Sequence, residues 1–177
     1  MLNKAYRSVL FAIIFSISFS QVVINELMIQ PYNDSDEVLS EYIELYNIGQ
    51  DSVDLEGWQV AVNSPDVSSS FTISNIVMGP ESYAVLSVSD NELFNLGIPV
   101  DFAWGFAAGF SLPNAFANIS ICDTDDNCNS RSYEIENIDA GKSVELKNPL
   151  YLGGIGTEYW SAGSEVYDSA GNMGTPG

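Results

Sequence analysis

Alternation of apolar and polar residues predicts a chain built almost entirely of short β-strands. The clearest predicted strands are residues 22–29, 41–47 and 83–89, which are rich in β-branched and aromatic side chains. Turn-forming residues separate such runs at intervals of about 8 to 12 residues, which is typical of a sandwich or barrel. One helical turn is predicted within 89–97, with Ser89 or Asp90 as N-cap. We therefore expect about eight or nine strands in one all-β domain.

The first 20 residues have the pattern of an export signal instead. Two basic residues precede an apolar run over 9–19, and Ser18 and Ser20 stand where a signal peptidase prefers small side chains. A run of this length is too short to span a hydrocarbon core of about 30 Å. We expect cleavage after Ser20, a single domain over 21–177, secretion or a cell-surface location, and no membrane insertion after cleavage.

Charge narrows the classes of partner and of chemistry. The chain has 24 acidic and 5 basic residues, a net charge of −19, and removal of the signal with its two basic residues takes it to −21. Such a surface repels phosphate backbones, so nucleic acid is not expected as a direct ligand. The chain has no His, which removes the commonest general base and the usual Ser–His nucleophile. Catalysis would have to use carboxylates, Tyr, Lys or a metal held by oxygens.

Two cysteines, Cys122 and Cys128, bracket an acidic loop, and export favours a disulfide between them. Oxygen-bearing residues follow the spacing of a calcium loop: Asp123, Asp125, Asn127, Asn129 and Glu134. Cys128 stands where that loop needs a glycine, and a disulfide would pinch it. We therefore expect a solvated hairpin tip without cofactor or metal, and calcium at Asp123, Asp125 and Asn127 is the alternative.

The order of motifs is more specific than any one of them. The chain reads "VVINELM", "SEYIELYNIGQDSVDLEGWQV", "MGPESYAVL", "GKSVEL" and a final "GTPG". This series resembles the lamin tail domain, an immunoglobulin-like β-sandwich of nuclear lamins and of many secreted bacterial proteins. The resemblance implies that fold over residues 22–177 and a non-catalytic binding, attachment or architectural role. Its signature positions in this chain are Asn25, Glu26, Glu41, Glu44, Asn47, Gly57 and Trp58.

The glutamates of that signature raise the question of catalysis. Glu41 and Glu44 are three apart on one strand, so they point to opposite faces. Glu26 and Glu44 could meet on neighbouring strands at the separation that glycosidases use, but no other part of such a site is visible. We expect Glu26 or Glu44 to accept hydrogen bonds from loop N–H groups and Glu41 to be solvated. A carboxylate-based hydrolase is the least favoured interpretation.

Aromatic residues supply the remaining candidates for recognition. Trp58 is expected in the core rather than as an exposed sugar platform. The 98–118 segment is expected to pack, but if exposed it would form a surface for a partner chain or glycan, with these residues: Phe102, Trp104, Phe106 and Phe110. We expect an exported non-catalytic module with a protein or glycan partner. The alternative is a carbohydrate-binding module that uses exposed aromatics, with or without calcium.

Overall fold

The computed structural model describes residues 21–33, 37–148 and 159–177, so the expected export signal lies outside the described residues. Twelve strands form within these ranges. They are β1 Val22–Met28, β2 Tyr42–Asn47, β3 Val53–Asp54, β4 Gln59–Asn63, β5 Ser68–Thr72, β6 Val77–Met78, β7 Tyr83–Ser87, β8 Phe102–Ala103, β9 Ala117–Cys122, β10 Cys128–Tyr133, β11 Val144–Leu146 and β12 Trp160–Ala162. A short helix, α1, covers Glu92–Asn95, and 3-10 turns cover Glu37–Ser40, Phe106–Ala108 and Ile135–Asn137.

The strands form two main sheets and one small one. The six-stranded sheet has the order β12-β11-β1-β2-β7-β8, the four-stranded sheet β10-β9-β4-β5, and β3 pairs with β6 alone. Every strand pair is antiparallel except β7 with β8. The predicted all-β immunoglobulin-like sandwich is confirmed. The strand count was predicted too low because strands of two or three residues leave no readable alternation.

The predicted N-cap of the helix was wrong. The helix begins at Glu92 and its N-cap is Asn91, whose side chain accepts a hydrogen bond from the N–H of Leu93 at 3.0 Å. Neither Ser89 nor Asp90 therefore caps it, because the cap is the residue directly before the first helical turn. At the other end of the chain, β11 is followed by β12, which pairs with it in antiparallel register.

The core lies between the two main sheets and includes the aromatic segment. Phe71 on β5 is at its centre, with its ring stacked 5.1 Å from that of Trp104 and edge-on to that of Phe110 at 4.8 Å. Phe102 stacks on the same ring at 5.8 Å. The connection over 98–118 is thus a cap on the sandwich, called the aromatic cap below, because the rings of Phe102, Trp104 and Phe110 pack against Phe71.

A β-bulge interrupts the alternation of β1. Its pairing with β2 shifts between Ile24 and Glu26, so Val22 and Ile24 face the same core as Leu27 and Ile29. Strict alternation would put these two pairs on opposite faces, but a bulge adds one residue to one strand and reverses the alternation after it. The bulge turns Glu26 to the outer face of the six-stranded sheet, away from the core.

That outer face is covered in part by the last segment of the chain. Met28, Tyr42 and Val85 form a second apolar cluster there with Ile98, and the ring of Tyr167 packs edge-on against that of Tyr42 at 6.0 Å. Within 159–177 the Gly-rich tail packs on the body. Among the described residues there is no helix with the length and apolarity needed to cross a membrane.

Candidate functional site

Three glutamates form a row across the outer face of the six-stranded sheet. Glu26 on β1 pairs with Glu44 on β2 and with Glu145 on β11. Directly opposed residues of antiparallel strands project to the same face. Glu26 and Glu44 are 0% and 1% exposed, and Glu145 is half-buried. Glu26 and Glu44 therefore lie side by side on neighbouring strands, and Glu145 adds a carboxylate from a third strand.

The tail supplies most of the donors that these carboxylates bind. Thr175 donates its N–H to Glu26 Oε1 and its hydroxyl to Oε2, both at 3.0 Å, and the Tyr42 hydroxyl also donates to Oε1. The N–H of Gly177 donates to Glu44 Oε2 at 2.7 Å, and Asn25 Nδ2 donates to Oε1 at 2.7 Å. These bonds hold residues 174–177, called the tail strap below, over the glutamate row.

Burial dominates the electrostatics of the row. It raises the pKa of Glu44 to about 7, although hydrogen bonds from Gly177 and Asn25 act in the opposite direction; the neighbouring charges of Glu26 and Glu145 raise it further. Burial, followed by the charge of Glu26, also raises the pKa of Glu145. Among the described residues, no Lys or Arg acts on the pKa of Glu44 or Glu145. The row is thus stabilised by hydrogen bonds rather than by opposite charge.

A small cleft opens at the Glu44 end of the row. It has a volume of about 210 Å³ and is lined by Asn25, Glu44, Tyr83, Thr175 and Gly177. The Tyr83 side chain is 47% exposed. Its ring centre lies 4.6 Å from that of Tyr46, its cross-strand partner, with 31° between the ring planes. The cleft therefore combines a carboxylate, an amide and an exposed aromatic face.

Comparison with known families identifies the fold. Residues 16–149 match the Lamin Tail Domain. The chain belongs to the lamin tail domain family. Members of this family are non-enzymatic immunoglobulin-like domains, which fits a sandwich whose buried glutamates bind its own backbone. The match ends before the tail strap, so the "GTPG" motif lies outside it. No curated protein matches the chain.

Glu41 of this lamin tail domain is not solvated, contrary to expectation. It is 1% exposed, and its carboxylate accepts the N–H of Leu112 at 2.8 Å. Glu41 precedes β2 at the end of the sandwich, where the aromatic cap covers it. Because a buried carboxylate needs hydrogen-bond donors, Glu41 fixes the backbone of that cap instead of meeting water.

Other signature residues fix turns and core. Asn47 donates to the carbonyls of Asp51 at 2.8 Å and Gly79 at 2.7 Å, which ties two loops to the end of β2. Gly57 has φ +80, a conformation that side chains disfavour. Trp58 is 7% exposed within the main core, so it does not provide an exposed sugar platform.

The proposed aromatic recognition surface does not exist as a group. Trp104 and Phe110 are buried at 7% and 3% exposure, and Phe102 is half-buried in the same stack. Phe106 alone of the four is exposed, at 63%. The sequence could not separate these cases, because a run of aromatics has the same pattern whether it caps a core or faces solvent.

The acidic hairpin is closed by the predicted disulfide. Cys122 and Cys128 are directly paired at the end of β9 and β10 and are bonded. Asp123 Oδ1 accepts the N–H groups of Asp125 and Asn127 at 2.9 and 2.8 Å, and Oδ2 accepts Asn127 Nδ2 at 2.9 Å. The carboxylate thus organises its own loop. Among the described residues, no cluster of three or more His, Cys, Asp or Glu is placed to hold a metal ion.

Glu145 and Tyr83 were not predicted as members of the site. Glu145 is paired with Glu26 in the register of β1 with β11, and Tyr83 faces Tyr46 through the register of β2 with β7. A signal does exist for Tyr83, which begins the predicted strand 83–89. Register between strands distant in sequence is the part that a single sequence does not supply.

Proposed function

We propose that this lamin tail domain is an exported, non-catalytic module that binds a partner or has an adhesive or structural role at the surface of a bacterial cell or outside it. One observation carries the proposal. Each of the four carboxylate oxygens of Glu26 and Glu44 accepts a hydrogen bond from the chain itself. The pair that a carboxylate hydrolase would use is therefore engaged in holding the fold.

The raised pKa of Glu44 is the one property of the row that would favour catalysis. A carboxyl group with a pKa near 7 in a cleft is also what a general acid has. Here burial explains the shift, and the cleft of about 210 Å³ is smaller than usual ligand pockets. The opposed carboxyl of Glu26 is 0% exposed, beneath the tail strap, so it is not within reach of a substrate in this arrangement.

The outer face of the four-stranded sheet favours contact with a protein over binding of a glycan through aromatics. The strand registers place twelve side chains on it, none charged and none aromatic: Gln59, Ala61, Asn63, Ser68, Ser70, Thr72, Asn118, Ser120, Cys122, Cys128, Ser130 and Ser132. A glycan reader of the expected kind would present a row of exposed rings on a sheet face.

The disulfide supports export, because such bonds persist in oxidising compartments.

Two measurements test the proposal in the cell that makes the protein. Intact mass of the chain from the medium and the cell surface is expected to show an N-terminus at Gln21. The purified exported chain is expected to bind saturably to cells that lack their own copy, and an unrelated protein of similar negative charge serves as the control. Retention of the full chain inside the cell, or a hydrolytic activity abolished by Glu44→Gln, would overturn the proposal.

A further inference from the structure

We propose that the cleft between Tyr83 and Glu44 receives a cationic side chain, Lys or Arg, of a basic polypeptide partner. This inference rests on the proposed function, since it names the chemistry of the partner that the module binds. It concerns the cleft lined by Asn25, Glu44, Tyr83, Thr175 and Gly177, which is called the tyrosine cleft below.

The tyrosine cleft has the size of a side-chain tip, and its carboxylate can accept hydrogen bonds from one. Its volume of about 210 Å³ is below the range of about 300–1,000 Å³ in which drug-sized ligands bind. Each oxygen of Glu44 accepts one hydrogen bond from the chain. A carboxylate has about four lone-pair sites, so these two bonds do not saturate Glu44, which lines the cleft although it is 1% exposed. Ammonium and guanidinium groups are donors without acceptors, and they match this demand.

The aromatic wall selects for positive charge as well. Tyr83 is 47% exposed and stacked on Tyr46 with ring centres 4.6 Å apart. The face of a tyrosine ring attracts ammonium and guanidinium groups, and guanidinium also stacks on it. A ring face beside a carboxylate therefore offers two favourable contacts to one cation. A neutral sugar would gain the ring contact but would leave the carboxylate uncompensated.

The charge distribution indicates that the cation comes from outside the chain. Among the described residues, the charges that act on Glu44 and Glu145 are those of other acidic groups, and no Lys or Arg lowers the pKa of either. The chain has only five basic residues against 24 acidic ones. Buried carboxylates are costly unless they are paired with charge or hydrogen-bonded. A cation in the tyrosine cleft would offset part of the repulsion along the row, and the acidic surface would attract a basic partner to it.

The test is a titration of the exported chain with fluorescent tetra-arginine at pH 8, with tetra-serine as the neutral peptide. We expect saturable binding of tetra-arginine alone. Tyr83→Leu and Glu44→Gln are expected to weaken it about three- to tenfold, since each removes one of the two cation contacts. Phe116→Leu and Glu92→Gln are the matched controls, an exposed ring and an exposed carboxylate elsewhere, and are expected to leave binding unchanged.

Acidity separates the cleft from general attraction to an acidic surface. Glu44 is faced by Glu26 on β1 and Tyr83 on β7, with Glu145 on β11 next in the row. Its pKa of about 7 means that it is largely protonated at pH 5.5, where ordinary surface carboxylates remain ionised. We expect binding to weaken from pH 8 to pH 5.5 in the unmodified chain and to change much less in Glu44→Gln.

Three results would overturn the inference. The first is equal binding of tetra-arginine by the unmodified chain and by both cleft variants. The second is a loss of binding in Glu92→Gln as large as that in Glu44→Gln. The third is binding of free arginine as tight as that of tetra-arginine, which would mean that the cleft takes a small cation and not a polypeptide. Because Tyr83 is exposed, Tyr83→Leu is expected to fold even where Glu44→Gln does not. If tetra-arginine binding fails these tests but the exported chain still binds saturably to cells, the proposed function stands and the partner is of another kind.

Discussion

The N–H of Gly177 donates to Glu44 Oε2 at 2.7 Å, so the tail strap is joined to β2 across 133 positions of sequence. Thr175 makes the equivalent bonds to Glu26 on β1. Two neighbouring strands therefore hold the same short segment through buried carboxylates. The glutamates that first suggested catalysis are explained by this attachment, and the cleft beside Tyr83 is formed by the same residues.

Stability is expected to increase on acidification, and Glu44 is expected to cause much of the increase. Its pKa is about 7 in the folded chain and about 4.3 in an unfolded one. The folded state therefore holds the proton over that interval, and the free energy of unfolding falls as pH rises through it. Urea unfolding should give a value about 2 kcal/mol larger at pH 5.5 than at pH 8 from this group. Glu44→Gln should reduce the difference by that amount, and an unreduced difference would rule Glu44 out as its source.

Substitution of Gly174 tests the close approach of the tail strap. A Cβ at this position would lie 2.5 Å from Glu26 Oε1 and 2.5 Å from the Tyr42 hydroxyl. Gly174→Ala should lower the free energy of unfolding by about 1–3 kcal/mol, the usual cost of overpacking. Gly79→Ala is the control, because its nearest atom would be 3.7 Å away. Equal effects of the two substitutions would show that the strap is loosely placed.

The bulge in β1 is expected to depend on Asn129. Its Oδ1 accepts the N–H of Ile24 at 3.1 Å, and Asn129 is 5% exposed. Asn129→Ala would leave a buried donor unsatisfied, at a cost of about 1–3 kcal/mol. Hydrogen exchange at Ile24 should accelerate in this variant and stay unchanged in Asn63→Ala, whose side chain is exposed. Full protection of Ile24 in Asn129→Ala would contradict the assignment.

The disulfide is expected to stabilise the hairpin chiefly through the unfolded state. The bond joins residues six positions apart, and chain-entropy arguments give about 2 kcal/mol for so short a loop. The double variant Cys122→Ala with Cys128→Ala should lose about that much in urea unfolding and keep the same far-ultraviolet circular dichroism. A change in that spectrum would mean that the bond is needed for the sheet itself.

Calcium is expected to leave the melting temperature unchanged. The oxygens of Asp123 are occupied by N–H groups of its own loop, and weak extracellular calcium sites are filled at about 1 mM and above. Melting curves in EDTA and in about 5 mM calcium, enough to fill sites of that strength, should therefore coincide. A rise of several degrees that Asp125→Ala abolishes would show that the acidic loop does bind the ion.

The sequence was enough for the fold class and for two residues of the glutamate row, Glu26 and Glu44, but not for Glu145 or for the arrangement of the three. Alternation and turn residues predict strands reliably where a run has five or more residues, as in β2 and β7. The bulge at Ile24 has no marker in the sequence, since Asn25 is an ordinary polar position of a strand. One such residue reverses the face of every later side chain, and it decides which way Glu26 points.

Solvation of Glu41 was mispredicted for a related reason. A glutamate just before a strand is exposed unless another segment covers that end of the sandwich. The cover is the aromatic cap, which is 71 positions away at Leu112, and its path follows from the packing of Phe71, Trp104 and Phe110. Long-range packing of this kind depends on three-dimensional fit, which apolar pattern alone does not specify.

The measurement that tests the central claim most directly is the unfolding free energy of Glu26→Gln at pH 7. Glu26 is 0% exposed and accepts three hydrogen bonds, two from Thr175 and one from Tyr42. A structural carboxylate predicts a loss of about 3 kcal/mol, because an amide accepts at only one of its two ends. Unchanged or greater stability would contradict the account, since that is the behaviour of a carboxylate retained for function at the expense of the fold.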